Sequence, residues 1–461
     1  MSLHLYNTLT KSVQEFQPLD PENVRLFVCG PTVYDYSHLG HAKTYIQLDI
    51  LARVLRANNF AVTYLQNITD IDDKIIKRSA ERGTDWQQLR DEFQQYYLED
   101  MQQLNNTSVD TYARATDYMD DILRQVQTLI DTGHAYTIED DGIYFEIATF
   151  AEYGKLSGRT ELKENDAQTR IDQSDNKRGW NDFCLWKFSK DSEPTWKAPF
   201  GDGRPGWHIE DTAITEHFFG PQYDIHGGAI DLIFPHHEAE ITQMESASGK
   251  QPFVRYWIHT GFLNINSEKM SKSLGNFHTI RDVMNDHDPM AIRLLMLQSH
   301  YRSSVNFDWD NLEAANNRLK RWRAIAELRW QTHDTLKDDD DKSSDILAAP
   351  QAILEKLNDD LATPEALKVI DESFNRIETT PLENIRQQSL VQLLEFIDET
   401  LGLKLLDSTP DISDEQKQLL IERRRARDNK DWATSDQLRD ELHKSGIAVR
   451  DTAHYTIWQR D

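Results

Sequence analysis

With only two cysteines in 461 residues, Cys29 and Cys184, the chain has no basis for a disulfide framework, and a reducing compartment is expected. No apolar run approaches the ~18 residues that a membrane-spanning helix needs. The opening residues, Met1-Ser2-Leu3-His4-Leu5-Tyr6-Asn7, lack the basic-then-apolar order of a secretory signal, so a cytoplasmic protein is the expectation. Basic residues are in deficit, 51 Lys and Arg against 78 Asp and Glu, and the net charge of −27 argues against broad, non-specific nucleic-acid binding. A nucleic acid bound by a local patch remains compatible with it. Internal repeats and low-complexity tracts are absent. Aromatics are plentiful, with 11 Trp, 16 Tyr and 18 Phe, which excludes a disordered chain. The length suggests about three domains. The acidity is uneven: from Asp411 onward the net charge is −1, against −26 for the rest. Composition alone favours an ordinary mixed-charge helical tail; the sharper alternative is a tail kept from repelling phosphate.

The first third alternates strand and helix. Val24-Arg25-Leu26-Phe27-Val28 reads as a buried strand broken by Cys29-Gly30-Pro31-Thr32, and Leu39, Ala42, Ile46, Ile50 and Val54 follow at helical spacing. Residues 61–65 form the next strand, a βαβ unit that predicts a parallel sheet. Helices are expected near 86–104 and 117–132, then an irregular insertion with short strands at 135–137 and 143–146. Strand–helix alternation resumes with strands at 223–226 and 231–234 and a helix from Pro235. Beyond Pro289 the pattern is almost wholly helical. The acidic run from Lys337 to Asp345 reads as a solvated linker rather than an ion site, and Ser408-Thr409-Pro410 marks a small C-terminal domain.

Two constellations carry phosphate chemistry. His38-Leu39-Gly40-His41 opens a helix after a strand and turn, where backbone N–H groups and the helix dipole favour an anion, Gly40 permits close approach, and two imidazoles can donate to phosphate oxygens. Alone this pattern is weak, and two structural histidines would explain it. Lys269-Met270-Ser271-Lys272-Ser273 places two lysines three apart on a Ser- and Gly-containing loop, a cationic clamp suited to a polyphosphate. A solvated basic loop is the bland reading, less comfortable in so acidic a chain.

Together the two motifs, 228 residues apart, resemble the paired signatures of class I aminoacyl-tRNA synthetases. Cys29-Gly30-Pro31-Thr32-Val33-Tyr34-Asp35, Asn67-Ile68-Thr69-Asp70-Ile71-Asp72-Asp73-Lys74, Gly206-Trp207-His208-Ile209-Glu210, His226-Gly227-Gly228 and Phe234-Pro235-His236-His237-Glu238 narrow this to a resemblance to the cysteinyl-tRNA synthetases that runs end to end. It implies an α/β fold: a Rossmann-like parallel-sheet catalytic domain (1–132 and 206–288) split by an inserted connective region (133–205), then a helical bundle (289–407) and a small anticodon-binding domain (408–461). The implied activity is ATP-dependent formation of cysteinyl-adenylate and transfer to the 3′ end of tRNA, by a monomer, with Mg accompanying ATP.

The resemblance also implies residue roles. His38, His41, Lys269 and Lys272 are expected to be catalytic, Gly40, Ser271 and Lys272 to bind ATP, and Gly30, Thr69, Trp207, His226 and Asp231 to line the amino-acid pocket, Asp231 facing the ammonium. The family's zinc ligands fall on Cys29, His236, Glu240 and Asp211, the last standing where the family usually has cysteine. A carboxylate is an acceptable zinc ligand and leaves the ligand charge unchanged, but makes the set harder and less selective for zinc. A metal-free pocket with Asp211 hydrogen-bonded to a neighbour is the alternative. By helical spacing His237 points away from His236 and is expected to be structural, and Cys184 to pack in a core. Arg427, Trp432, Asp436, Arg439 and Asp451 match anticodon contacts, and the run Arg423-Arg424-Arg425 is expected to meet phosphate. Two rivals use related scaffolds: a ligase passing cysteine to an amino-sugar inositol, disfavoured by the long helical C-terminal part, and a non-catalytic RNA-binding paralogue, disfavoured by the intact His38, His41, Lys269 and Lys272.

Overall fold

The computed structural model describes residues 2–460 apart from 164–165, 167–168, 170, 191–192, 266–267, 270–276, 333–340 and 452–455, and of 268–269 only the backbone. The chain divides into two units, one formed by 1–289, 296–308 and 357–363, the other by 290–295, 309–356 and 364–461.

The first unit is organised by five parallel strands. β1 (Val24–Val28), α1 (Leu39–Ala57), β2 (Val62–Ile68), β3 (Thr111–Arg114), α2 (Trp207–Phe219), β4 (Tyr223–Ala229), α3 (Glu238–Ser248) and β5 (Val254–Thr260) follow in chain order, and the sheet order is β5-β4-β1-β2-β3. Near-continuous apolar strands suit a sheet covered on both faces, and Leu26, Phe27, Val28, Leu65, Ile225 and Ile258 are fully buried. The chain moves outward from β1 through β2 to β3, then returns to lay β4 on the other side of β1, with His226 opposite Phe27 and Gly227 opposite Val28. That reversal opens a crevice at the carboxyl ends of β1 and β4, where ligands bind in open α/β sheets.

Between β3 and α2 lies a four-stranded antiparallel sheet of Ala135–Ile138, Gly142–Phe145, Phe183–Phe188 and Gly203–Pro205. Cys184 is buried in it beside Tyr136, Tyr144 and Ile171, as expected of a packing cysteine. The helices near 86–104 and 117–132 occur as Trp86–Gln103 and Met119–Asp131.

Two expectations fail locally. Residues 231–234 form no strand: short turns at Ile230–Leu232 and Ile233–His237 precede α3, which begins at Glu238 rather than Pro235. Phe234 is extended, the conformation that a following proline enforces, so the helix cannot start there. The hairpins His4–Asn7 with Ser12–Glu15 and Ile447–Asp451 with Thr456–Arg460 were not foreseen, since strands of four or five residues carry too little alternation.

The second unit is mainly helical. It includes Trp309–Glu327, Gln387–Leu401, α4 (Asp414–Asp428) and α5 (Trp432–Lys444), the last two sharing a small core of Ile412, Leu442, Ile447 and Trp458. This C-terminal part is tied to the helices before it: Arg329 donates to the Thr409 and Leu406 carbonyls at 2.6 and 3.0 Å, and Arg460 pairs with Glu327 at 2.5 Å. Residues 337–340 of the acidic run lie outside the described residues, but its end is structured, with Asp341 2.8 Å from Arg386 and a helix beginning at Ser344. No helix among the described residues is long and apolar enough to cross a membrane.

Candidate active site

Cys29 follows β1 directly, and its N–H donates to Gly227 O at 3.0 Å across the crevice. Gly30 must be glycine: a Cβ there would lie 1.7 Å from the Asn67 carbonyl oxygen. Its N–H donates to Asn67 Oδ1 at 2.5 Å.

His38 is the N-cap of α1. Its Nδ1 accepts from Gly40 N–H at 3.1 Å and His41 N–H at 3.4 Å, while His41 Nδ1 accepts from His38 N–H at 3.3 Å. The N–H groups expected to face phosphate are therefore capped by the motif's own imidazole. The consequence for the side chains is useful. With both Nδ1 atoms accepting, each neutral ring carries its proton on Nε2 and can donate it. Burial, then the neighbouring His38 and Lys74, pushes His41 well below the usual imidazole range, so it serves as a neutral donor.

His236 gathers the second group. Its Nε2 lies 3.5 Å from Cys29 Sγ, 3.1 Å from Asp211 Oδ2 and 3.2 Å from Glu240 Oε1, all of them buried. The other ring nitrogen is 2.8 Å from His208 Nδ1, and the ring stacks on Trp207 with centroids 4.1 Å apart. Asp211 Oδ1 accepts from Asn67 Nδ2 at 2.5 Å. Glu240 Oε2 lies 3.5 Å from His226 Nε2, whose Nδ1 meets Tyr223 OH at 2.8 Å. Neither Glu240 oxygen makes a well-formed hydrogen bond among the described residues. Burial, then Asp211, raises the Glu240 carboxyl, and burial, then Asp211 and Glu240, raises the Cys29 thiol. A thiol, two carboxylates and an imidazole that converge with no Lys or Arg ion pair among the described residues fit a divalent cation, which would remove the cost of ionising them in a buried site. Asp211 reaches this cluster as well as hydrogen-bonding Asn67.

His237 corrects the helical-spacing argument. The turn at Ile233–His237 is not regular helix, and the ring falls among the cluster: possible ligand atoms of Cys29, His236 and His237, and of His226, His237 and Glu240, lie within 4.8 Å of one another. Its Nδ1 is 2.8 Å from His259 Nε2, and Thr8 Oγ1 meets His259 Nδ1 at 2.8 Å. Asn67, His208 and His259 were missed as site residues; only the motifs that contain Asn67 and His208 signalled them.

A chamber of about 370 Å³ joins the two groups. Cys29, Gly30, His38, Gly40, His41, Trp207 and Asp231 line it, together with Lys74 and Phe262. Thr69 and His226 are buried but do not line it. Ser271 and Lys272 lie outside the described residues. The backbone of Lys269 pairs with Asn264, and its side chain is not described.

In the second unit Trp432 is 56% exposed, with the Arg427 guanidinium 5.6 Å from its ring, and Asp436 pairs with Arg439 at 3.4 Å on the surface. Asp451 accepts from Arg423 at 2.8 and 2.7 Å and lies 2.9 Å from Arg427. Chiefly through the Arg423 bonds, its carboxyl is held down at about 2. Arg423 is only 2% exposed, which corrects its expected phosphate contact: it holds the hairpin to α4.

Residues 15–317 match the class I (C) catalytic domain of tRNA synthetases, and residues 409–458 the cysteinyl-tRNA ligase anticodon binding domain. The cysteine–tRNA ligase of Thermococcus onnurineus (strain NA1) is 41% identical over 486 residues, covering 100% of this chain and 99% of that protein. That of Idiomarina loihiensis is 40% identical over 472 residues, covering all of both. Among solved structures, Mycobacterium tuberculosis methionyl-tRNA synthetase in complex with methionyl-adenylate superposes with a TM-score of 0.63 at 16% identity, over 84% of this chain and 93% of that one; at such identity the likeness concerns the fold. The strand reversal, the capped histidine pair and the thiol–carboxylate–imidazole cluster thus sit in a chain that belongs, over its full length, to the cysteinyl-tRNA synthetase family of class I aminoacyl-tRNA synthetases.

Proposed function

We propose that the chamber at the β1–β4 reversal carries both half-reactions of ATP-dependent cysteine–tRNA ligation. The cysteine carboxylate attacks the α-phosphorus of ATP and pyrophosphate leaves; a hydroxyl of the terminal adenosine of tRNA then attacks the acyl carbon and AMP leaves. The observation that carries this reading is that one chamber is lined by Cys29 and Trp207 of the cluster and by His38 and His41. His38 and His41 donate through Nε2 to phosphate oxygens as charge develops. Lys269 and Lys272, with Ser271 and Gly40, take the ATP phosphates by family position, and Mg accompanies ATP. Asp231 meets the substrate ammonium from the chamber wall. Gly30 leaves room for the substrate, and Trp207 packs on His236. Thr69 and His226, set behind the wall, orient groups that touch substrate.

Cys29, Asp211, His236 and Glu240 would hold zinc. Such an ion, when bound, supplies a preference for a thiolate over an alcohol, a discrimination that an apolar pocket provides only to about 10²-fold for near isosteres. The protein's own part is to keep His236 oriented through His208 and Trp207 and to keep water out by burial. For tRNA, Arg427, Trp432, Asp436, Arg439 and Asp451 would read unpaired bases by stacking and hydrogen bonding. The five-part division at 132, 205, 288 and 407 is retained as the working organisation.

Pyrophosphate exchange into ATP with cysteine or serine, followed by charging of purified tRNA, tests the reading. Cysteine-dependent exchange and cysteine charging are expected; exchange supported equally by serine, or no charging by folded protein, would falsify it.

A further inference from the structure

Lys74 lines the chamber close to His41, and it is the only lysine or arginine that does so among the described residues. It is the second residue of the helix Asp73–Arg82, which follows β2 after a four-residue turn. Its ammonium forms no ion pair among the described residues, in a protein with 78 acidic side chains. Neither adjacent carboxylate forms an ion pair with it, although Asp72 is near enough to interact electrostatically. Asp73 is paired with Arg204, and Asp72 caps the helix by accepting the Lys74 N–H at 2.7 Å. The Tyr34 ring lies beneath the ammonium at 5.3 Å, a contact that holds a cation without neutralising it.

The chamber continues into a smaller one of about 160 Å³, and Lys74, His38 and His41 line both. The smaller space is walled largely by the loop from Pro31 to Ser37. Its carboxylate, Asp35, lies 3.8 Å from Arg78. A cation with no ion-pair contact among the described residues, at the junction of two cavities and beside two imidazole donors, suits a phosphate group.

We infer that Lys74 is a phosphate-binding residue of the active site, its ammonium holding a phosphate that extends from the main chamber into the smaller one. The inference rests on the ligase reading above. Two sources supply that chemistry: the pyrophosphate that leaves ATP, or the last phosphodiester of the tRNA. In the first case a carboxylate oxygen–Pα bond forms as the Pα–O–Pβ bond breaks, and Lys74 offsets the charge gathering on pyrophosphate without moving a proton.

The test uses the full chain with Lys74→Ala, Lys74→Gln and Lys74→Arg. Pyrophosphate exchange and single-turnover transfer of preformed adenylate to tRNA are measured separately, with inorganic pyrophosphate as a product inhibitor. If Lys74 holds pyrophosphate, Lys74→Ala lowers the exchange kcat by about tenfold or more. The KM for cysteine stays unchanged, inhibition by pyrophosphate weakens, and Lys74→Arg recovers most of the rate. A loss confined to the transfer step, recovered by Lys74→Arg, assigns the phosphate to tRNA. Wild-type rates in both steps overturn the inference alone, as does an equal loss in all three variants with a lowered Tm. A wild-type protein that makes no adenylate with cysteine overturns the ligase reading and the inference together.

Discussion

The cluster around His236 and the α4–α5 pair both gather acidic, basic and aromatic side chains, under opposite solvation. Cys29, Asp211, His236 and Glu240 are almost wholly out of water, and ionisation of Cys29 and Glu240 is opposed by burial and then by the neighbouring Asp211 carboxylate. Of the charged and aromatic side chains on α4 and α5, only Arg423 is buried; Trp432, Arg439 and Asp436 stand in solvent, where ion pairs contribute little and salt screens them. Removing a group from the first set leaves its partners unsatisfied in a low-dielectric site, whereas removing one from the second leaves water to replace it. The two regions should therefore differ sharply in their response to substitution.

The largest effect is expected at the centre of the buried set. His236→Ala should abolish retention of zinc and lower cysteine-dependent pyrophosphate exchange by more than the roughly 100-fold that loss of an outer-shell partner costs. Plasma mass spectrometry and the exchange assay check this, and near-normal exchange in a zinc-free variant would remove the metal from the proposal.

A second prediction concerns the one place where the C-terminal region behaves like the interior. Asp451→Asn should destabilise the α4–hairpin module by about 1–2 kcal/mol, less than the roughly 3–5 kcal/mol of a fully buried broken pair because Asp451 is partly exposed. The pH dependence has a definite sign. The folded carboxyl, at about 2, lies below the unfolded value of roughly 3.9, so its contribution is present above about pH 4 and is lost as pH falls toward 2. Thermal unfolding of wild type and variant across that window should converge at the acid end; curves that stay parallel would contradict it.

A smaller effect is expected at the exposed ring. Trp432→Ala should raise the KM for tRNA by about tenfold, toward the weak end of the ~1–3 kcal/mol that one lost base stack costs, while exchange, which needs no tRNA, is spared. Equal losses in both assays would show that the ring supports the fold instead.

The smallest effect sharpens the comparison from within the buried set. Asp211→Cys conserves ligand charge and should retain zinc and exchange within a fewfold, losing only the Asn67 contact. A large loss would mean that the Asn67–Asp211 bond, rather than metal ligation, is what the position supplies.

The parts that sequence reading reached and missed follow the same physical line. β1 was legible because a run with four buried apolar residues, Val24 and Leu26–Val28, ends at Cys29-Gly30-Pro31; the turn at Ile233–His237 was not, because Pro235 and the extended Phe234 interrupt the period on which the placement of His237 relied. Among site residues, the types and motifs of Cys29, His38, His41, Trp207, Asp211, His236 and Glu240 were readable. The capping of α1 by His38 and the burial of Arg423 were not. Lys74 was visible only as part of a motif, since the Asp72 cap and the Asp73–Arg204 pair depend on where a helix starts and on a residue 131 positions away from Asp73.

By itself the sequence determined the family, the parallel α/β core and the chemical types at the site, the Asp211 carboxylate among them, because these depend on side-chain identity and short-range spacing. The tertiary structure alone decided which charges lose water, which side-chain acceptor caps a helix, and which cation lines the chamber with no ion pair among the described residues. Those outcomes depend on distances between elements far apart in the chain and on the desolvation they impose, and neither is encoded in local periodicity.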